Sequence, residues 1–502
     1  MSVHWPILRR LLAHPLRVCA VDDRRSWRGI DLLVGAMHLA DRIERESSGD
    51  KVAVLLPTGG AFPMAALACW SLGRTLVPLN YLLNQDEVEW IIRHSGSDIV
   101  ISAGAVADAL GWAPTSANLV NLEDVSFTGF PSPRIPATAK ADDLAALLYT
   151  SGTSGRPKGV MLTHGNVRAN VSQIRRWVTF TTDDIVLGAL PQFHSFGFTV
   201  LTVLPLITGM KVVYTARWVP KRVIELIREH KPTMFVGLPS MYNALLRVKS
   251  AEADDFDSFR YIVSGGEPLP DAVFNAFEER FGVRIHEGYG LTETAPVTNW
   301  LRPEEFRRHS VGRAVPDCRI RIVHPESGRE VGPNREGEIR IAGPNIMAGY
   351  YRDPEQTASV FDEDGWFRTG DMGRLDREGF LYITGRIKEM LIIAGENVFP
   401  REIEEVLNRH PAVQDSGVVG EPDDLRGEIP VAFIELAEGA SFDEAAIRDF
   451  CFERLARHKS PRRIVRLDAL PRNPTGKIMR RRLKEMLAAA GSPEAVADGR
   501  RA

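Results

Sequence analysis

The chain has 502 residues, 62 Lys and Arg against 65 Asp and Glu, a formal net charge of −3, and 44% hydrophobic and 25% charged residues. Single cores stop growing at about 250–300 residues, so this length calls for at least two domains of ordinary globular composition. The near balance of charge gives no global reason to expect nucleic-acid binding.

In chain order, the opening MSVHWPILRRLLAHPLRV is too interrupted by Pro, His and Arg to hold the apolar core of a signal peptide. Lys51–Leu56 (KVAVLL) reads as a strand ahead of an apolar helical stretch around Met64–Leu72. The same alternation returns with Thr233–Val236 (TMFV) before Ser240–Leu246. It predicts βα units and largely parallel sheets, an α/β fold. The apolar stretch from Phe196 to Val213 is broken by Gly197, Pro205, Gly209 and Lys211. It falls short of the ~18–20 uninterrupted apolar residues of a membrane span. No transmembrane segment is expected, which leaves room for peripheral membrane contact.

Between Val311 and Ile341 the texture changes: IRIV and EIRI, separated by HPESGREVGPNREG, read as antiparallel strands with tight turns. GWFRTGDMGRLDREGFLYITGRIKE is rich in turn signals and charge. Beyond it Arg401–Leu407 and Glu444–Leu455 read as helices, and VQDSGVVG and IPVAFIEL as strands. This predicts a small α+β domain, with domains over 1–385 and 389–502 and a boundary at 386–388. The last residues, GSPEAVADGRRA, read as a frayed tail. Cys19, Cys69, Cys318 and Cys451 show no CxxC or Cys/His spacing, which argues against zinc or a disulfide framework. Isolated thiols fit a reducing, cytoplasmic compartment.

The strongest chemical signal is Tyr149–Val160, YTSGTSGRPKGV. An apolar strand (LAALLY) runs into a loop of glycines and hydroxyls with one lysine, and a helix begins near Thr163–Asn166. Glycines let backbone N–H groups approach an anion, Ser and Thr add donors, and Lys158 adds positive charge. No GK[ST] closes the loop, so it is not a Walker A loop. Alone, it says phosphate and little more.

Downstream, in order, stand Gly288–Glu293 (GYGLTE), Arg368–Asp371 (RTGD), Gly385–Glu389 (GRIKE) and Pro471–Lys477 (PRNPTGK). With these five motifs the sequence resembles the adenylate-forming superfamily of acyl-CoA synthetases, nonribosomal-peptide adenylation domains and firefly-type luciferases. The resemblance runs from GRTLVPLNYLLNQDEV at Gly73–Val88 to the lysine near the end. It implies a large N-terminal domain of α/β/α subdomains with a small β-barrel-like subdomain, followed by a small mobile α+β domain. It also implies ATP, Mg²⁺ and CoA as cofactors, and a reaction in which ATP activates a carboxylate to an acyl-adenylate that a thiol then attacks. Two anions must meet in line, so such a protein has to neutralise charge and position both partners.

By that resemblance Thr150, Ser151, Gly152, Thr153, Ser154, Gly155 and Lys158 would cradle the β- and γ-phosphates. Glu293, with Thr153, would hold Mg²⁺, and Thr292 would lie close to the α-phosphate. Asp371 suits the ribose diol and Arg386 the ribose–phosphate region. Gly265, Gly266 and Glu267 (SGGEPL), with Tyr289 and Gly290, match the adenine pocket. Read singly, Asp371 is equally a turn residue, Tyr289 a core aromatic and Glu293 a surface carboxylate. Lys477 is the family's catalytic lysine, whose charge matters while charge migrates to pyrophosphate, in the first half-reaction only. Lys388 occupies the hinge position about which the small domain rotates, and Gly395 (AGENVFP) would let the pantetheine arm pass.

The acid is read from PQFHSFG at Pro191–Gly197. Amino-acid-activating relatives carry an aspartate here for the substrate ammonium, whereas this stretch offers Phe193, His194 and Phe196. An unpaired buried ammonium costs several kcal/mol, which disfavours an amino acid. The stretch, with GLPSMYNALL and TAPVTNW, resembles medium- to long-chain fatty acyl-CoA synthetases, and His194 is either a gate on the carboxylate side or a packed, hydrogen-bonded histidine. An acyl-carrier-protein synthetase, a fatty acyl-AMP ligase and an aryl acid–CoA ligase are the alternatives.

The acceptor is read from charge. Arg457–Lys484 holds eleven Lys and Arg against one acid, Asp468, which makes the segment +10 and leaves the rest of the chain at −13. A basic face suits CoA, the first choice, or an acidic acyl carrier protein.

Overall fold

Lys51–Val54 and Ile99–Ser102, apolar or nearly so throughout, form strands buried at every position. This is how a strand covered on both faces reads in sequence. The stretch around Met64–Leu72 becomes the helix Ala61–Ser71, buried from Phe62 to Trp70, as a helix apolar all round must be. The computed structural model describes residues 2–150, 156–423, 425–472 and 477–490. The fold is a large N-terminal α/β part and a smaller C-terminal α+β part. The chain divides into two compact units. The first is Met1–Gly266, Phe277–Ile320 and Ile341–Arg368; the second is Glu267–Ala276, Arg321–Arg340 and Thr369–Ala502.

Among the described residues the first unit holds a seven-stranded and a nine-stranded sheet. In the larger, Lys211–Tyr214, Ile185–Gly188, Met234–Gly237, Tyr261–Ser264 and His286–Gly290 follow one another as parallel neighbours. Val297–Trp300 then pairs antiparallel with His286–Gly290. In the smaller, Lys51–Val54 lies between Thr75–Pro78 and Ile99–Ser102, parallel to both. Leu144–Thr150 also pairs parallel with Thr75–Pro78.

The phosphate-loop motif corrects one expectation. Thr150 ends the strand Leu144–Thr150, and Lys158 opens an antiparallel partner, Lys158–Thr163, with Thr150 directly opposite Lys158. The loop therefore joins two strands of a hairpin, and the helix His164–Trp177 follows only after the second strand. That helix starts where the sequence places it. Thr163 accepts from the Asn166 N–H at 3.1 Å, and Asn166 accepts from the Thr163 N–H at 3.0 Å, a reciprocal cap.

The stretch expected to be antiparallel and barrel-like forms a four-stranded sheet in the order Arg319–Val323, Gly337–Ala342, Phe367–Leu375, Leu381–Arg386. In the C-terminal sheet Val413–Asp423 and Gly427–Leu436 pair antiparallel, and Arg463–Leu467 runs parallel to the latter. Their alternation sorts two cores. Val418, Ala432 and Ile434 face one with Ile403, Leu407 and Ile447. Val419, Val431 and Phe433 face the other with Leu470, Leu483 and Leu487. All four cysteines are free, and among the described residues no helix is long and apolar enough to cross a membrane.

Candidate active site

Four adjacent parallel strands of the first unit deliver their carboxyl ends to one edge, the place where open α/β sheets bind ligands. Ile185–Gly188 leads to His194, Met234–Gly237 to Leu238, Tyr261–Ser264 to Gly265 and Gly266, and His286–Gly290 to Thr292 and Glu293. An added Cβ on Gly265 would lie 3.1 Å from Cε1 of Phe196, so the half-buried ring rests on that glycine. Gly266 has φ +81°, in the left-handed region that favours glycine. Gly290 owes its glycine to packing, because a Cβ there would overlap the Pro296 carbonyl. Tyr289 is half-buried at the end of its strand.

The aromatic residues of FHSFGF separate. Phe193 and Phe198 are buried, Phe193 edge-on to Tyr81 at 4.9 Å and Phe198 against Trp70 at 6.1 Å. His194 is exposed and not a packed core histidine. It caps the short helix Ser195–Phe198, its Nδ1 accepting from the Phe196 N–H at 3.4 Å. That bond puts the proton of the neutral ring on Nε2. Behind it the Ser195 and Thr292 hydroxyls lie 3.0 Å apart, both buried.

The first unit also brings Lys158 and Glu293 to one residue. Lys158 donates to Oε1 of Gln356 at 2.8 Å and lies 5.4 Å from the centre of the Tyr350 ring. The Tyr350 hydroxyl donates to Oε1 of Glu293 at 2.8 Å. The main chain of Glu293 is held too, its carbonyl accepting from the Met347 N–H at 2.9 Å. Among the described residues no group of three His, Cys, Asp or Glu could enclose a metal. A lone half-buried carboxylate still fits a Mg²⁺ that keeps its waters and shares a nucleotide's phosphates. Ser151, Gly152, Thr153, Ser154 and Gly155 lie outside the described residues.

The second unit holds the remaining candidates. Asp371 is buried inside the strand Phe367–Leu375, directly opposite Arg386 on the neighbouring strand, with Nε to Oδ1 at 2.8 Å. It is a paired carboxylate, not a turn residue. Lys388 is exposed in the turn Ile387–Glu389, between the strands Leu381–Arg386 and Leu391–Ile393. Gly395 and Ala394 form the tip of the hairpin Leu391–Ile393 and Glu396–Val398, at φ +84° and +52°. Nothing lies within 4 Å of a Cβ added to Gly395, so conformation rather than space calls for glycine there. Burial and Arg386 hold the Lys477 ammonium below the usual lysine range, with Glu389 and Glu267 opposing. Burial raises Glu267, and Lys477 and Arg472 oppose that rise.

Tyr350, Gln356 and Ser195 were not singled out in the sequence. AGYYRDPEQT announces only a turn and an N-cap, which Asp353 makes to the Gln356 N–H at 3.0 Å. The basic segment also changes meaning. Lys459 pairs with Glu402, Arg463 with Glu421, Arg472 with Asp415, Arg480 with Glu404, and Arg481 and Arg482 with Glu485. Six of its eleven basic residues thus pair with five acids of the same unit that lie outside the segment, which weakens the case for a bare basic face.

The AMP-binding enzyme family matches residues 9–351, and the AMP-binding enzyme C-terminal domain matches residues 402–477. The 2-succinylbenzoate–CoA ligase of Geobacillus kaustophilus is 34% identical over 96% of this chain and 98% of that protein. Feruloyl-CoA synthase of an Amycolatopsis species is 31% identical over 95% and 97%. The long-chain-fatty-acid–CoA ligase of Bacillus subtilis is 39% identical, over 70% of this chain, which spans 63% of that protein. ATP-bound MatB from Rhodopseudomonas palustris superposes with a TM-score of 0.88 at 30% identity, over 97% of this chain and 99% of that one. MenE from Bacillus subtilis, in complex with ATP and magnesium ion, gives 0.84 at 31% identity over 95% and 99%. With both domains matched in order, the chain belongs to the AMP-binding enzymes of the adenylate-forming superfamily, the AMP-forming acid–thiol ligases.

Proposed function

We propose that this ligase activates a carboxylic acid with an aryl-type tail and transfers it to CoA. The observation that carries the reading is Phe196, half-buried and lying on Gly265 beside the exposed His194 at the carboxyl ends of the parallel strands. A flat aromatic wall over a glycine floor favours a planar partner, since ring–ring contact is worth about 0.5–1.5 kcal/mol beyond burial. Phe193 and Phe198 are committed to the core, so only one of the three phenylalanines is left to line an acyl site. The relatives that match nearly end to end and act on aryl acids support this reading over a fatty acid. The fatty-acid reading keeps the support of the B. subtilis ligase, which is matched over less of its length.

ATP and Mg²⁺ are the cofactors; ATP supplies the adenylyl group, and Mg²⁺ offsets the charge of the triphosphate. Lys158 and Glu293 would hold the phosphates and the metal, with Thr292 beside the α-phosphate. Asp371 and Arg386 would hold the ribose, and Gly265, Gly266, Glu267, Tyr289 and Gly290 the base. Lys477 would serve adenylate formation, and Lys388 would be the hinge. Gly395 would border the path of the thiol.

The test measures pyrophosphate release over acetate, octanoate, dodecanoate, hexadecanoate, benzoate and cinnamate, with CoA or a holo acyl carrier protein as acceptor. Benzoate or cinnamate with CoA is expected to give the highest kcat/KM. A maximum at dodecanoate or hexadecanoate would return the assignment to fatty acids.

A further inference from the structure

The segment that follows Lys477 is tied down by one largely buried guanidinium. Arg480 opens the helix Arg480–Ala490, three residues after Lys477. Its Nη2 lies 2.8 and 2.6 Å from the two carboxylate oxygens of Glu404, and its Nη1 lies 3.2 Å from Glu389. Glu404 stands on the helix Pro400–Leu407 and is itself fixed, accepting from the Val418 N–H at 2.8 Å. Glu389 closes the turn Ile387–Glu389, one residue after Lys388. A single side chain thus joins three segments of the second unit.

Other ties hold this segment on the side of Pro471 and Arg472. Ile478 packs against the cluster of Val419, Val431, Phe433 and Leu483. The Met479 N–H donates to Pro471 O at 2.7 Å, and Arg472 bridges Ile478. The backbone contacts close the loop ends, and the packing of Ile478 adds no direction of its own. Here Nη2 spans both oxygens of Glu404 and Nη1 reaches Glu389, so two nitrogens of one rigid, planar group are held by two carboxylates, which fixes its plane as well as its distance. A buried ion pair adds little net stability over apolar packing, and its best-attested use is to fix register.

We propose that Arg480, clamped between Glu404 and Glu389, is a positioning residue that sets Lys477 for adenylate formation. The inference rests on the reading of Lys477 as the lysine of that half-reaction. The clamp acts by holding the first helical turn in one register, so that the lysine side chain leaves the backbone in one direction. Loss of the clamp leaves Lys477 present but no longer aimed.

The test compares Arg480→Met, Arg480→Lys and Glu404→Gln with Lys477→Ala in the full-length protein. Pyrophosphate release reports adenylate formation, and thioester formation from supplied acyl-adenylate reports the second half-reaction. Arg480→Met is expected to slow adenylate formation about tenfold or more while thioester formation stays within about twofold. Arg480→Lys, which keeps the charge without the planar group that reaches both carboxylates, should recover only part of the loss. Thermal melts check folding, and Glu404→Gln, nearly isosteric, carries the test if Arg480→Met does not fold. An equal fall in both half-reactions would make Arg480 a brace of the unit and overturn the proposal. So would wild-type rates in Arg480→Met beside a split in Lys477→Ala. If Lys477→Ala itself shows no split, the reading of Lys477 fails first, and that outcome is distinct from either.

Discussion

The hydroxyl of Tyr350 donates to Oε1 of Glu293 at 2.8 Å, and the same ring carries Lys158 on its face, 5.4 Å from the centre. One neutral residue therefore sets the spacing of the cation and the carboxylate proposed for the phosphates and Mg²⁺. A hydrogen bond to a charged group contributes about 1.5–3 kcal/mol. Tyr350→Phe keeps the ring under Lys158 and removes only the hold on Glu293. The Mg²⁺ concentration for half-maximal pyrophosphate release should rise about tenfold, with the melting temperature little changed. An unchanged Mg²⁺ midpoint would show that Tyr350 does not orient Glu293.

Lys477→Ala should abolish adenylate formation and spare thioester formation from supplied acyl-adenylate, because its charge matters only while charge moves to pyrophosphate. Lys388 lies exposed in a short turn between two strands. Lys388→Pro, which fixes φ near −65°, should slow overall turnover and leave adenylation largely intact. Equal loss in both steps would count against a hinge.

Gly265 tests the aryl reading. A Cβ there would sit 3.1 Å from Cε1 of Phe196 and 3.4 Å from Gly288 O. Gly265→Val has no room without moving the ring, and overpacking of this kind costs about 1–3 kcal/mol. Relative kcat/KM for cinnamate over acetate is expected to fall about tenfold. If that ratio is unmoved, the acyl tail does not pass Gly265.

His164 predicts an acid window. It is buried, its Nδ1 accepts from the Val3 N–H at 3.1 Å, and burial, with His4 and the N-terminus adding, lowers its pKa to about 4. Asp143 opposes and Arg168 adds to the shift. The folded protein keeps His164 neutral while the unfolded chain takes up a proton below about 6.5. Its contribution is therefore complete above that pH and is lost as pH falls from about 6.5 towards 4, by on the order of 3 kcal/mol. His164→Gln should melt with a smaller drop between pH 7.5 and pH 5 than the native chain. Parallel curves would mean another group, His4 first, sets the window.

Much of the fold was legible because local pattern and final environment agree. KVAV and IVIS are mostly apolar and end in doubly covered strands; Thr163 and Asn166 announce a cap and make it. The phosphate loop departs from its sequence pattern in one respect: the second strand, Lys158–Thr163, opens on the loop's own lysine, so it reads as part of the loop. TGD alone has turn texture, but Asp371, read as a ribose ligand from the ordered motifs, lies in a strand directly opposite Arg386.

The order of the motifs along the chain settled the family without any coordinates, since each motif is a local run of residue types that survives reading in one dimension. What the sequence could not settle was which groups face one another. Phe193, Phe196 and Phe198 are alike in sequence, and only packing sends two to the core and leaves one on Gly265. The basic run from Arg457 to Lys484 is +10 as a string, and only in three dimensions do Glu402, Glu421, Asp415 and Glu404 close on it. Charge pairing depends on distance through space, and those acids lie 42 to 76 residues from their partners along the chain.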